Sequence, residues 1–233
     1  MFIIGIAGLR IRIINTYDYV AKMCKKYIVE NTEFDFSVKV SEHEILFRME
    51  ASTILEADKG YFEGLILYEK IAQKMLEYNG FMLHAAIVEV DGVSYAFSAP
   101  SGTGKSTHAM LWLNHFGEKA KIINGDKPII RIFDDKVFAC GTPWCGKESF
   151  NYNKISPLRS LCFLSRSKTN SIRSVDDSEL SELIFNQIIR PDNNHDYDKI
   201  FSMLNLLINK IKIYSLSCNI SDEAVEVSYN AMK

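Results

Sequence analysis

The stretch FMLHAAIVEVDGVSYAFSAPSGTGKST, residues 81–107, decides how this chain folds. Its end, APSGTGKS over residues 99–106, has the form [Ala/Gly]-x4-Gly-Lys-[Ser/Thr]. Consecutive backbone N–H groups of such a loop cradle phosphate oxygens, and its lysine reaches the outer phosphates. Average residue frequencies produce that pattern by accident in about 2 percent of chains this long. Context lowers the figure, because an apolar strand runs into Ser98 and an apolar helix follows Ser106, as the loop requires.

Immediately before the loop, two alternating apolar runs, residues 83–90 and 93–98, are separated by Asp91-Gly92. Asp-Gly in that setting is the strongest short hairpin signal. The strand entering the loop is therefore expected to pair antiparallel with its predecessor. In the common doubly wound nucleotide folds it belongs to a parallel set, so a mixed sheet is expected here.

Beyond the loop the sequence predicts a helix over 106–115, a strand over 121–124 ending at Gly125-Asp126, and a hairpin of 128–133 with 137–139 around Asp134-Asp135. A glycine-bracketed loop, 141–148, and a strand over 158–164 follow. Residues 169–175 read as a connection to a helix over 177–189, capped by Asp176 or Asp177. A helix over 199–210, a strand over 211–216 and a C-terminal helix opened by Ser221 complete the chain.

Upstream, residues 2–14 are β-rich, with Gly5 and Gly8 marking a bend or bulge. A short helix over 17–29 and a strand over 34–40 come next. Ser41 with Glu44 has the spacing of a capping box, and helix and strand signals compete from there to Lys59. An amphipathic helix is expected over 61–78, stopped by Gly80. The whole reads as an α/β (α+β) chain with a mixed β-sheet. Residues 1–80 form an N-terminal α/β region packed on a core of residues 81–233.

The 233 residues suit one domain, or one with a smaller N-terminal addition. A content of 47% hydrophobic and 24% charged residues is that of a globular protein. The net charge of −2 supplies no overall electrostatic reason to bind nucleic acid or an anionic membrane. No apolar run reaches a membrane span, and Arg10, Arg12 and Asp18 interrupt what would be a signal-peptide core, so a cytoplasmic protein is expected. Five cysteines without paired CxxC spacing indicate reduced thiols rather than a disulfide framework or zinc site.

In the functional reading, Ser101, Gly102, Thr103, Gly104, Lys105, Ser106 and Thr107 bind the nucleotide phosphates, Lys105 contacts the transferable one, and Ser106 ligates Mg²⁺. Asp126 is the candidate metal carboxylate, since it ends the strand after the loop's helix; the other reading is a turn aspartate. His84 taken alone is more often a packed or surface histidine. Trp144 reads as a core or lid residue, and Lys147 and Glu148 as a solvated ion pair or as contacts to substrate or metal. All three are substrate-side candidates.

The order His84-Ala85-Ala86, Asp-Gly hairpin, Ser101-Gly102-Thr103-Gly104-Lys105-Ser106, Asn124-Gly125-Asp126-Lys127 resembles the catalytic domain of HPr kinase/phosphorylase and its relatives. The specific motifs cover residues 81–148. The chain is also similar to small kinases of that superfamily found with ribosomally made peptides, which phosphorylate a serine of a precursor. The resemblance implies a phosphoenolpyruvate-carboxykinase-like fold, with ATP and Mg²⁺ as cofactors. It also implies His84 near the transferred phosphate and Asp126 at an acidic position used for metal or proton abstraction. HPr kinases carry two adjacent aspartates where this chain reads Gly125-Asp126-Lys127, so one carboxylate serves one role only and Glu148 or another group would supply the second.

The expectation is thus an ATP-Mg²⁺-dependent kinase acting on a hydroxyl, foremost serine of a peptide or protein, with His84, Lys105 and Asp126 catalytic. A small-molecule kinase of the same fold and a nucleotide-responsive binding protein without phosphotransfer are the alternatives. Residue patterns leave the oligomeric state open.

Overall fold

The computed structural model describes residues 1–54 and 56–233, the side chains of 177 and 181 excepted. The chain begins with a hairpin, β1 (Phe2–Ile6) and β2 (Leu9–Ile14), turning at Ala7-Gly8, where both φ angles are positive (52° and 75°). Gly5 lies inside β1, so the expected bend sits at Gly8 alone. A six-residue helix, α1 (Asp18–Met23), and a 3₁₀ turn replace the longer helix expected over 17–29. β3 (Phe36–Lys39) joins β2 in parallel and completes a three-stranded sheet.

Two helices cover that sheet. α2 (Glu42–Glu50) starts at the capping box: Ser41 Oγ accepts the Glu44 amide and the Glu44 carboxylate accepts the Ser41 amide at 2.8 Å. α3 (Lys59–Met75) buries Phe62, Leu67, Ile71 and Met75 on its apolar stripe. Its stop is Asn79, in the left-handed conformation (φ 54°, ψ 43°), rather than Gly80. Gly80 opens the next strand instead, where a Cβ would stand 2.8 Å from Met75 Cε.

The remainder forms a branched mixed sheet. Its elements in order are β4 (Gly80–Met82), β5 (Ala85–Val90), β6 (Val93–Ser98), α4 (Lys105–Phe116), β7 (Ala120–Asn124), β8 (Ile129–Phe133) and β9 (Lys136–Cys140). Then come β10 (Ile155–Arg166), β11 (Ser171–Ser174), α5 (Asp177–Phe185), α6 (Asn194–Lys210), β12 (Lys212–Cys218) and α7 (Asp222–Met232). Strand order is β4-β8-β9-β10-β6-β5-β7, with β12 on β10 and β11 on β12. β10 makes the branch: its first residues pair antiparallel with β9, and the rest run parallel between β6 and β12.

The Asp91-Gly92 turn works as its sequence demands. Both residues hold positive φ (49° and 83°), and β5 and β6 pair antiparallel in unbroken register from Val90↔Val93 to Ala85↔Ser98. Asp134-Asp135 does the same between β8 and β9. β5 is buried along its whole length because both faces are covered. Ala85 and Ile87 pack with α5 and α6, and the alternate Ala86, Val88 and Val90 with α4 and α7.

Several boundaries differ from the sequence expectations for tertiary reasons. α5 ends at Phe185, not 189, because Gln187 and Ile188 are taken up in backbone pairing with His84 and Leu83. The Asp176 side chain does not cap α5, and the Asp177 side chain, the other expected cap, lies outside the described residues. Residues 171–174 are a strand because β12 offers them an antiparallel edge. α6 starts five residues earlier than expected, where the Asn193 side chain accepts the Asp196 amide at 3.1 Å.

The N-terminal sheet shares one apolar cluster with Met82, Ile129 and Cys140 of the larger sheet and with Trp144 of the 141–148 loop. Tyr27 Oη donates to Thr142 O at 2.9 Å, and Arg131 donates to the carbonyls of Tyr78 and Ala7. Among the described residues no helix is long and apolar enough to cross a membrane.

Candidate functional site

Where β6 ends, the chain turns through residues 99–104 into α4. Thr103 N donates to Pro100 O at 3.2 Å, and Gly102 and Gly104 hold φ of 79° and 126°, values that L-residues rarely adopt. The space beside both is open. α4 begins at Lys105 with no side-chain cap on its N-terminus, so its first amides and the positive end of its dipole are free to meet an anion.

Lys105 is 7% exposed, and among the described residues its hydrogen-bond partner is the Ala99 carbonyl, 3.0 Å from Nζ. Burial pushes its pKa down, and the nearby Asp126 charge opposes that effect. A desolvated ammonium, open glycines and an uncapped helix start fit a phosphate chain. Ser101 and Thr107 are exposed at the loop's edges, with Thr103 and Ser106 half-buried between them.

His84 stands in the gap between β4 and β5. The strand exit after β7 clasps that gap: Leu83 N donates to Pro128 O at 3.1 Å and Ala85 N to Asp126 O at 3.0 Å. His84 Nε2 is 3.1 Å from Asp126 Oδ1, and Lys127 Nζ is 3.1 Å from Asp126 Oδ2. Burial would raise the Asp126 carboxyl, but the His84 hydrogen bond and the Lys127 ammonium outweigh it and hold its pKa at about 2.

Two residues that sequence reasoning missed position this pair. Gln187, behind α5, accepts the His84 amide at 2.7 Å through its carbonyl, and its Oε1 lies 3.0 Å from His84 Nδ1. Asn124, fully buried at the end of β7, accepts the amides of Asp126 (2.9 Å) and Lys127 (2.7 Å) with Oδ1. Its Nδ2 donates to Thr142 O and Oγ1, both at 3.1 Å, and to Trp144 O at 3.3 Å. One amide thus ties the Asp126 turn to the 141–148 loop. Asn124 opens an Asn-Gly-Asp turn signal that could have marked it; Gln187 has no sequence signal.

Trp144 is not placed as a substrate contact. It is 6% exposed, donates Nε1–H to Gly64 O at 2.9 Å and lies against Tyr68 in the N-terminal cluster. Lys147 and Glu148 are exposed on the turn beyond it. Glu148 is close enough for its charge to act on Lys105, and it flanks Gly146, which packs against Asp126. The Gly125 position is closed to a larger residue, because a Cβ there would stand 2.9 Å from Cys145 O. An aspartate at position 125 therefore has no room.

Of the arginines, Arg166 touches the loop, donating to Thr103 O at 3.0 Å and Gly102 O at 2.5 Å. Arg173 pairs with Glu179 on the surface. Among the described residues no three His, Cys, Asp or Glu side chains converge on a metal position. Mg²⁺ takes one or two carboxylates and completes its shell with phosphate and water; of the two expected ligands, Ser106 is half-buried at the start of α4 and Asp126 has its oxygens on His84 Nε2 and Lys127 Nζ.

No protein-family model matches the sequence, and no curated protein matches it. Among solved structures, the HPr(Ser) kinase/phosphatase from Coxiella burnetii is similar at a TM-score of 0.37 and 8% identity, over 64% of this chain and 95% of that one. A likeness that distant says nothing of activity.

Proposed function

We propose that the chain is an ATP- and Mg²⁺-dependent kinase of the HPr-kinase type that transfers the γ-phosphoryl group to a hydroxyl, foremost serine of a peptide or protein. One observation supports this reading: Asp126, paired with His84, is close enough for its charge to act on the buried Lys105 at the start of α4.

Lys105 and the loop amides offset charge on the outer phosphates, and the water-poor setting of Lys105 strengthens that effect. Asp126 accepts the hydrogen bond of the acceptor hydroxyl and aims its oxygen at phosphorus, with His84 fixing the carboxylate. The bond from phosphorus to the bridging oxygen of the diphosphate breaks, the bond to the acceptor oxygen forms, and the hydroxyl proton passes to Asp126. A carboxylate that His84 holds ionised is a weak base, and this suits a loose transition state in which orientation counts for more than basicity. Ser106 would hold Mg²⁺, which would neutralise charge developing on the phosphates, with Asp126 or, where Asp126 serves the acceptor, Glu148 as its carboxylate.

A second reading, nucleotide binding without transfer, draws on the engagement of both Asp126 oxygens by His84 and Lys127 and on the closed Gly125 position. Incubation with γ-labelled ATP, Mg²⁺ and a serine-containing peptide library separates the two. Kinase activity labels peptides, and Asp126→Asn silences it. Nucleotide binding with no labelled peptide or small-molecule hydroxyl supports the second reading.

A further inference from the structure

A cavity of about 470 Å³ adjoins the phosphate loop. It shares Thr103, Gly104 and Thr107 with the loop and includes none of His84, Lys105 and Asp126. It thus lies on the side of the loop away from those three residues. Leu111, Leu164 and Ile220 give it apolar walls, and Arg166 stands at its edge. Ile220 is 77% exposed, a large aliphatic side chain left in water on the rim.

His108, one turn into α4, also lines the cavity. Its Nε2 lies 3.1 Å from Trp112 Nε1. An indole N–H can only donate, and this one is shared between Nε2 and Ser228 Oγ, whose own proton goes to Val225 O; accepting it leaves Nε2 without a proton. The ring is 3% exposed and burial keeps it neutral, which puts the proton on Nδ1. That Nδ1 is buried and has no hydrogen-bond partner. Buried donors without partners are costly and uncommon in folded proteins.

We infer that this cavity receives the nucleoside end of the bound nucleotide, its base between the apolar walls, with His108 Nδ1–H donating to an acceptor atom of the base or ribose. The inference rests on the nucleotide reading of the same loop and adds the residues that recognise the non-phosphate part. Phosphate contacts hold any polyphosphate alike, whereas this cavity would distinguish a nucleotide from bare tripolyphosphate.

Calorimetric titration with ATP-Mg²⁺ and with inorganic tripolyphosphate tests it on the full chain, His108→Phe and Ile220→Ser. His108→Phe keeps an aromatic ring and removes the donor, while Trp112 Nε1 retains Ser228 Oγ at 3.1 Å. The unmodified chain is expected to bind ATP at least tenfold more tightly than tripolyphosphate. His108→Phe should weaken ATP about tenfold and leave tripolyphosphate unchanged. Ile220→Ser, on the exposed rim, should weaken ATP alone by several-fold, and it decides the matter if His108→Phe fails to fold. Equal affinity for the two ligands, or equal loss of both in the variants, overturns the cavity assignment and leaves the phosphate loop intact. Binding of neither ligand overturns the nucleotide reading and the cavity with it.

Discussion

His84 Nε2 lies 3.1 Å from Asp126 Oδ1, with Gln187 Oε1 3.0 Å from the opposite ring nitrogen. The ionised Asp126 can only accept, so Nε2 carries the proton. Gln187 Oε1 accepts from Nδ1 when that nitrogen also carries a proton, and otherwise the Gln187 amide presents its NH₂ there. The ring is thereby held from both sides. Asp126→Asn is expected to lower kcat by about 10³-fold, and His84→Leu by about 10²-fold. Gln187→Leu, which frees the ring, should cost about tenfold in kcat with ATP affinity unchanged. Phosphotransfer rates with a labelled donor, beside unfolding curves that show a retained fold, check all three.

Lys105 sets stability against function. An ammonium 7% exposed and bonded to a carbonyl is poorly compensated in the free protein. Lys105→Met is therefore expected to stabilise the nucleotide-free chain by about 1 kcal/mol while weakening ATP binding by about 100-fold. Thermal unfolding and nucleotide titration of one preparation measure both effects.

Asn124 is the structural centre of the site. Its side chain serves five polar groups of two loops while fully buried. Asn124→Leu leaves the Asp126 and Lys127 amides without partners, while Thr142 O keeps Tyr27 Oη and Thr142 Oγ1 keeps Lys127 O and Trp144 O; it should cost about 3 kcal/mol in urea unfolding, with activity falling alongside as the Asp126 turn loses its support.

His108 makes the fold acid-sensitive. Burial depresses its pKa from the ordinary 6.5 to about 4, and its packed neighbours Phe97, Trp112 and Ser228 carry no charge. Above pH 6.5 the ring is neutral folded or unfolded, and stability is unaffected. Between pH 6.5 and 4 the unfolded chain takes up a proton that the folded chain refuses. Stability should fall by about 3 kcal/mol over that window, and His108→Phe should remove this part of the pH dependence.

Much of the fold was legible because local chemistry specified it. Asp91-Gly92, Asp134-Asp135 and the Ser41–Glu44 box each carry their geometry in two to four adjacent residues, and the strands and helices beside them follow. The sequence did not show where distant backbone competes for a segment. The early end of α5 depends on Leu83 and His84, and β11 exists because β12 is beside it. The site divides the same way. The loop residues and the Asp126 turn are visible as motifs, whereas Gln187 and the anchoring of Trp144 on Gly64 arise only when the chain closes. The lack of an aspartate at position 125, a puzzle in the sequence, has a steric cause in the Cys145 carbonyl beside Gly125.

The central claim is that the transferable phosphate lies between Lys105 and the His84–Asp126 pair. A crystal structure with Mg²⁺ and a non-hydrolysable ATP analogue tests it most directly. The account expects the γ-phosphate on Lys105 Nζ, the metal on the Ser106 hydroxyl and the Asp126 carboxylate, and space for a hydroxyl beyond the γ-phosphorus on the Asp126 side. A γ-phosphate turned away from Asp126, with His84 and Lys127 still closing that carboxylate, would contradict it.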